Sequence, residues 1–286
     1  MKRDIYKQLL AWKNEKEHKP LILNGARQVG KTYILREFGR NEYKRMAFFS
    51  LDRDQKALEI FNKGGRATDM LMALSAICHE DITPHDTLVV LDEIQNCPKA
   101  LEALKFFCEE TPEIDIVVAG SLLGLSIHSG VSYPVGKVEE LHLYPMTFLE
   151  FLEAMGKTQL VNLLENKNWT VINMLETELI SSLRQYYYVG GMPAAVLAHI
   201  EKKGWKEVRR IQQQIITDYR RDFSKHAPTR EIPRINMVWD SIPAQLAKEN
   251  KKFVYGAVKK SARAADFEMA IQWLIDAGLA YKVPRV

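Results

Sequence analysis

Nine residues constrain this chain more than any others: Asn24-Gly25-Ala26-Arg27-Gln28-Val29-Gly30-Lys31-Thr32. The last eight, Gly25 to Thr32, fit G-x-x-x-x-G-K-[ST], a loop that cradles phosphates. Gly25 and Gly30 permit backbone angles that a Cβ would forbid. The loop then turns its N–H groups inward towards phosphate oxygens. Lys31 places a positive charge on the β and γ phosphates, and the Thr32 hydroxyl suits Mg²⁺. The flanking sequence agrees. Pro20-Leu21-Ile22-Leu23 is a short apolar run suited to a buried parallel strand. Residues 32–38 carry helical spacing and stop at Gly39. Strand, loop and helix in that order are what the motif requires, and the helix N-terminus adds its dipole to the site.

The second constraint is Asp92-Glu93, which closes the apolar run Thr87-Leu88-Val89-Val90-Leu91. An acidic residue at the end of such a strand reaches Mg²⁺, directly or through water. Thr32 and Asp92 are therefore the candidate metal residues. Glu93 is placed to accept a proton from an attacking water. An isolated Asp-Glu pair would read as two surface carboxylates; its distance after the loop favours the chemical reading. A strand at residues 45–51 lies between the two motifs. That layout suits an NTPase with an additional strand and argues against a GTPase-like protein or a simple nucleotide kinase. The third element is Val117-Val118-Ala119-Gly120-Ser121. Ser121 at a strand tip can hydrogen-bond a γ-phosphate or position the water; the other reading is that Gly120-Ser121 merely ends the strand. Lys31, Glu93 and Ser121 are the candidate catalytic residues.

Taken in order, the chain opens with an amphipathic helix over residues 4–16, on Ile5, Leu9 and Trp12. Helices are predicted at 55–62, 67–78 and 99–110, and strands at 45–51, 87–93, 114–119 and 137–143. Strands alternating with helices imply an α/β fold with a parallel sheet covered on both faces. After Phe148 the pattern turns helical, over residues 148–155, 159–164, 171–188 and 205–223. Gly190-Gly191-Met192-Pro193 interrupts it as a turn, with Pro193 suited to the first position of a helix. A linker at His226-Ala227-Pro228-Thr229 precedes helices at 234–249, 255–260 and 264–277, then the start of a strand at 279–283. Three helices and a strand suggest a winged-helix-like segment. The expected domains are an ATPase-type core at 1–155, a helical lid at 156–227 and a winged-helix-like part at 228–286.

The loop, the Leu91-Asp92-Glu93-Ile94-Gln95 run and Ala119-Gly120-Ser121, followed by Leu143-Tyr144-Pro145-Met146-Thr147-Phe148-Leu149-Glu150-Phe151, together resemble the prokaryotic AAA-type P-loop ATPases. They resemble in particular the group whose AAA domain precedes a C-terminal domain of unknown function. The resemblance covers most of the chain. It implies ATP and Mg²⁺ as cofactors, a sheet of order 5-1-4-3-2 and a helical lid. It implies nucleotide contacts from Gly25, Ala26, Arg27, Gln28, Val29, Gly30, Lys31, Thr32 and Tyr33. Gly190-Gly191-Met192-Pro193 resembles the Gly-x-Pro turn with which signal-transduction ATPases pack the lid on the base, which adds Pro193; an ordinary helix N-terminus is the other reading. Relatives often carry Gly-Arg where this chain has Gly136-Lys137. An ammonium lacks the planar fork of a guanidinium, so Lys137 reads better as a solvated strand-end charge.

The resemblance leads us to expect an ATPase or ATP-driven switch. The rival expectations are a non-hydrolysing ATP-binding scaffold and a DNA-processing ATPase. Net charge is +4 over 286 residues, which fits a nucleic-acid partner only weakly. Lys259, Lys260 and Arg263 could reach phosphates from a winged helix, but Asp266, Glu268 and Asp276 oppose them, so DNA is not the favoured partner. Arg220 and Arg221 stand beside Asp218 and Asp222 and suit intrahelical pairing. A homo-oligomer or a protein partner is expected instead. Cys78, Cys97 and Cys108 have no metal-ligand spacing and read as reduced thiols of a cytoplasmic protein. No apolar stretch reaches the ~20 residues that a membrane span takes. The sequence stops at Pro284-Arg285-Val286, just after a strand begins, and one strand cannot form a wing. The resembling family continues at this point, so we expect a fragment or a shortened copy.

Overall fold

The computed structural model of the chain describes residues 1–121, 133–249 and 252–283. Residues 284–286, which entered the sequence reading, lie outside that set. Five strands form one parallel sheet: β1 (Leu21–Gly25), β2 (Arg45–Ser50), β3 (Thr87–Asp92), β4 (Asp115–Ser121) and β5 (Glu139–Leu143). Their order is β2-β3-β4-β1-β5, the expected 5-1-4-3-2 read from the other edge. Every residue of β1 and β3 is buried, as strands covered on both faces must be. β4 lies between β1 and β3, so the phosphate-loop strand and the Asp92 strand flank it. This places the tips of three strands side by side at the carboxyl edge of the sheet, where open α/β sheets bind ligands.

Helices α1 (Ile5–Asn14) and α2 (Lys31–Glu42) share one core with this sheet. Ile5, Leu9 and Trp12 of α1 meet Ile34, Leu35 and Phe38 of α2 there. The expected stop of α2 at Gly39 is corrected: the helix runs through it to Glu42. Gly39 is a packing glycine, because a Cβ there would lie 2.5 Å from Met46 Sδ on β2. Helices α3 (Gln55–Lys63), α4 (Ala67–Cys78) and α5 (Pro98–Glu110) complete the layers.

Beyond β5 come α6 (Phe148–Ala154), α7 (Thr158–Glu165), α8 (Trp169–Met174), α9 (Glu176–Val189), α10 (Pro193–Ile200) and α11 (Trp205–His226). The helix predicted over 171–188 is two helices, α8 and α9, which part at Leu175. The chain forms two compact units that divide after Gln212, within α11. The first holds the sheet and the helices up to that point. The second holds the rest of α11, with α12 (Ile232–Leu246) and α13 (Ala264–Asp276). Its core is aromatic: Phe223 makes edge contacts with Trp239 at 5.3 Å and Trp273 at 5.5 Å.

Two expectations for the second unit need correction. The helix predicted over 255–260 is a single 3-10 turn, Tyr255–Ala257. The strand predicted over 279–283 is not formed, and Tyr281 and Val283 are largely exposed. A strand without a neighbour has no partner for its ladder, so no wing is built among the described residues. Arg221 pairs with Asp218 within α11 at 3.6 Å, as expected, whereas Arg220 reaches across to Asp240 on α12.

Candidate functional site

The site begins where β1 ends. Gly25 tolerates no side chain: a Cβ would lie 2.4 Å from the Leu143 carbonyl oxygen of β5. Gln28 and Gly30 have positive φ angles, 65° and 99°. These left-handed residues wrap the loop back on itself before α2 starts at Lys31. For Gln28 that conformation carries a steric cost which Gly30 avoids.

Lys31 turns back into the loop. Its Nζ donates to the carbonyl oxygens of Gly25 and Ala26, both at 2.9 Å. Burial lowers the ammonium from its ordinary value to about 8, against the pull of Glu93 and Asp92 and with a small push from Arg27. The Thr32 hydroxyl donates to Asp92 Oδ2 at 2.7 Å. Asp92 is buried, and its other oxygen accepts the Glu93 backbone N–H at 3.1 Å. So Asp92 at the end of β3 meets Thr32, which follows the loop after β1, and β4 lies between those two strands. Ser121 ends that strand and stands opposite Gly25 in the β1–β4 register.

Glu93 has φ 56°, in the left-handed region. That conformation is rare for a residue with a Cβ and marks local constraint. The Glu93 carboxylate is met by Gln95, whose amide donates to Glu93 Oε2. Tyr33, in the first turn of α2, is 56% exposed. Arg27 and Gln28 are exposed at the loop tip, and Ala26 and Val29 pack into the core shared by the sheet, α1 and α2.

The Gly190-Gly191-Met192-Pro193 turn comes to this loop. A Cβ on Gly30 would lie 3.8 Å from Pro193 Cγ. Met192 packs against the same core as Ala26. Gly191 is there because nothing larger fits: a Cβ would sit 2.3 Å from the Met146 carbonyl oxygen. The Gly191 carbonyl in turn accepts the Met146 N–H at 2.7 Å. Lys137 is elsewhere. It precedes β5, whose residue Glu139 pairs with Leu21 at the start of β1, not with the loop at its end. There it forms a 3.0 Å ion pair with Glu109, both side chains well exposed.

An AAA domain family matches residues 17–152, and a domain of unknown function, DUF8612, matches residues 180–286. By the first match, residues 17–152 of the chain are an AAA domain. Its AAA domain is followed by that C-terminal domain. Among solved structures it is similar to a Walker-type ATPase of Pyrococcus abyssi, at 14% identity and a TM-score of 0.60, over 96% of this chain and 89% of that one. It also aligns with the ORC2 protein of Aeropyrum pernix, at 13% identity and a TM-score of 0.46, over 96% and 84% of the two chains. At 14% identity the first likeness speaks for the fold. No curated protein matches the chain.

The AAA domain also uses residues that motif reading passed over. Arg3 donates to the Val29 carbonyl of the loop at 3.0 Å and pairs with Glu150 at 3.0 Å. Asn24, the last residue before Gly25, donates to Glu140 Oε2 at 3.0 Å. Neither carries a spacing that marks it. Only Glu150 had a readable signal, because Thr147-x-x-Glu150 is a capping-box sequence, and the box is formed at α6.

Proposed function

We propose that this AAA-type protein binds ATP with Mg²⁺ and hydrolyses it, using the cycle as a switch. The Thr32–Asp92 hydrogen bond beside Lys31 carries this reading. It brings a hydroxyl, a carboxylate and an ammonium together at a helix N-terminus, a set that suits a metal-bound polyphosphate. In our reading the loop from Gly25 to Thr32 holds the phosphates, with Tyr33 beside it. Thr32 and Asp92 would hold Mg²⁺, which when bound would neutralise charge on the phosphate oxygens. Lys31 leaves the Gly25 and Ala26 carbonyls for the β and γ phosphates. Glu93 orients and deprotonates the attacking water, and Ser121 bonds the γ-phosphate from the tip of β4. Pro193 contacts the base from the lid.

The same reading divides the chain into an ATPase core at 1–155, a lid at 156–227 and a C-terminal part at 228–286 that transmits the nucleotide state. A second copy or a protein partner is the preferred target, with nucleic acid less favoured. The free cysteines suit a reducing compartment, so we place the protein in the cytoplasm. Among the described residues no helix is long and apolar enough to cross a membrane. One observation favours a second reading, a slow or non-hydrolysing ATP-binding scaffold: the Glu93 carboxylate is occupied by Gln95. Steady-state turnover at several protein concentrations, with and without duplex DNA, separates the readings. Glu93-dependent turnover supports the enzyme. Tight ATP binding without turnover supports the scaffold. Strong stimulation by DNA would make the DNA-processing alternative the better one.

A further inference from the structure

We infer that Arg3 is a positioning residue for the nucleotide site, fastening the phosphate loop to the segment on which the Pro193 turn rests. The inference rests on the reading of that loop as an ATP site. Arg3 lies before α1 and far from every motif, yet its side chain is only 6% exposed. Each face of its guanidinium is used. Nη1 donates to the Val29 carbonyl at 3.0 Å, Nη2 to the Tyr144 carbonyl, and Nε to Glu150 Oε1 at 3.0 Å.

These three acceptors belong to different parts of the fold. Val29 is the loop residue before Gly30. In a phosphate loop the N–H groups face the ligand, so carbonyls turned outward need donors of their own. Arg3 satisfies that of Val29 and its Nη1 lies 3.9 Å from where a Gly30 Cβ would stand. Tyr144 follows β5, and Glu150 lies in the first turn of α6. Glu150 also accepts the backbone N–H groups of Asp4 at 2.7 Å and Thr147 at 2.9 Å. The segment thereby fixed contains Met146, whose N–H donates to the Gly191 carbonyl and whose carbonyl accepts the Tyr186 hydroxyl at 2.7 Å. A continuous set of hydrogen bonds thus runs from the loop, through Arg3 and residues 144–150, to the Pro193 turn. A planar five-donor fork can serve three such acceptors at once; an ammonium cannot match that geometry.

The test is equilibrium titration with a fluorescent ATP analogue on the full chain. Wild type is compared with Arg3→Lys and Arg3→Met, all well below their melting temperatures. Arg3→Lys keeps a cation for buried Glu150 and guards against the case where Arg3→Met does not fold. We expect nucleotide to bind at least tenfold more weakly to Arg3→Met and by an intermediate factor to Arg3→Lys, in folded protein. If both folded variants bind as wild type does and only melt earlier, Arg3 is structural and the inference is overturned. The same holds if Arg3→Lys alone folds and binds with full affinity. Failure of wild type itself to bind the analogue would instead overturn the ATP-site reading, so the two failures are distinguishable.

Discussion

Raising the pH from 7 to 9 should weaken ATP binding about tenfold, and Lys31 sets that number. Burial holds its ammonium at about 8, well below the lysine value of 10.5. In protein free of phosphates, the charged fraction of such a group falls from about nine in ten at pH 7 to about one in eleven at pH 9. Phosphates favour the charged form, so binding takes up a proton above pH 8. Affinity then declines by about a factor of ten, or ~1.4 kcal/mol, for each further pH unit until the pKa of the bound state is reached. The triphosphate adds no comparable term, because phosphate groups ionise near pH 6. The sign follows from the direction of the shift. A lysine at 10.5 would stay charged throughout this window and give no slope.

The assay is fluorescence titration with an ATP analogue in excess Mg²⁺, at half-unit steps from pH 7 to 9. Lys31→Ala serves as the reference. It should bind far more weakly and show no Lys31-dependent slope. A wild-type profile parallel to that of Lys31→Ala would refute the reasoning, because the titrating group would then lie elsewhere. A wild-type affinity equal to that of Lys31→Ala at pH 7 would remove Lys31 from the site altogether.

Three further predictions use the same site. Glu93→Gln should bind ATP with unchanged affinity and lose turnover by about 10²–10⁴-fold, the usual worth of a positioned base; single-turnover hydrolysis at the parental rate would exclude Glu93 as that base. Thr32→Ala and Asp92→Asn should each raise the Mg²⁺ concentration needed for half-maximal nucleotide binding, and a Mg²⁺ titration superimposable on wild type would show that the pair does not face the metal. Gly191→Ala places a Cβ 2.3 Å from the Met146 carbonyl oxygen; it should displace the Pro193 turn and cost about 1–3 kcal/mol of stability, read by denaturant unfolding, and a variant as stable as wild type would show that the turn relaxes freely.

The inner strands β1, β3 and β4 were legible because they are buried on both faces and therefore written as largely apolar runs, such as Leu88 to Leu91. The phosphate loop was legible because its glycines answer a local backbone demand. Gly39 misled for the same reason in reverse. A glycine after a helical pattern reads as a stop, but this one is required by Met46 from another element, and sequence spacing does not report close approach across a fold. The split between α8 and α9 at Leu175 has no Gly or Pro to announce it. Arg3 was invisible because its partners, Val29, Tyr144 and Glu150, lie 26 to 147 residues away. Lys137 precedes β5, whose Glu139 pairs with Leu21 at the start of β1, and it meets Glu109 there, a partner 28 residues away that spacing does not report.

Adjacent carboxylates seldom serve two purposes unless the backbone separates them, and here it does. Asp92 is the last residue of β3, with its side chain turned to Thr32. Had the strand continued, Glu93 would have pointed to the opposite face, since successive side chains alternate. The positive φ of Glu93 ends the strand instead. The reversal is anchored by its own N–H donating to Asp92 Oδ1. The Asp92 carboxylate is thereby held by two hydrogen bonds. The Glu93 carboxylate accepts the Gln95 side-chain amide instead. The strain at Glu93 has a consequence for engineering. A glycine there would relieve the backbone but remove the carboxylate, so under the proposed role of Glu93 stability and turnover pull this position in opposite directions. Glu93→Gly should therefore melt no earlier than Glu93→Gln while sharing its defect in turnover, and a Glu93→Gly protein clearly less stable than Glu93→Gln would show that the left-handed turn carries no strain to release.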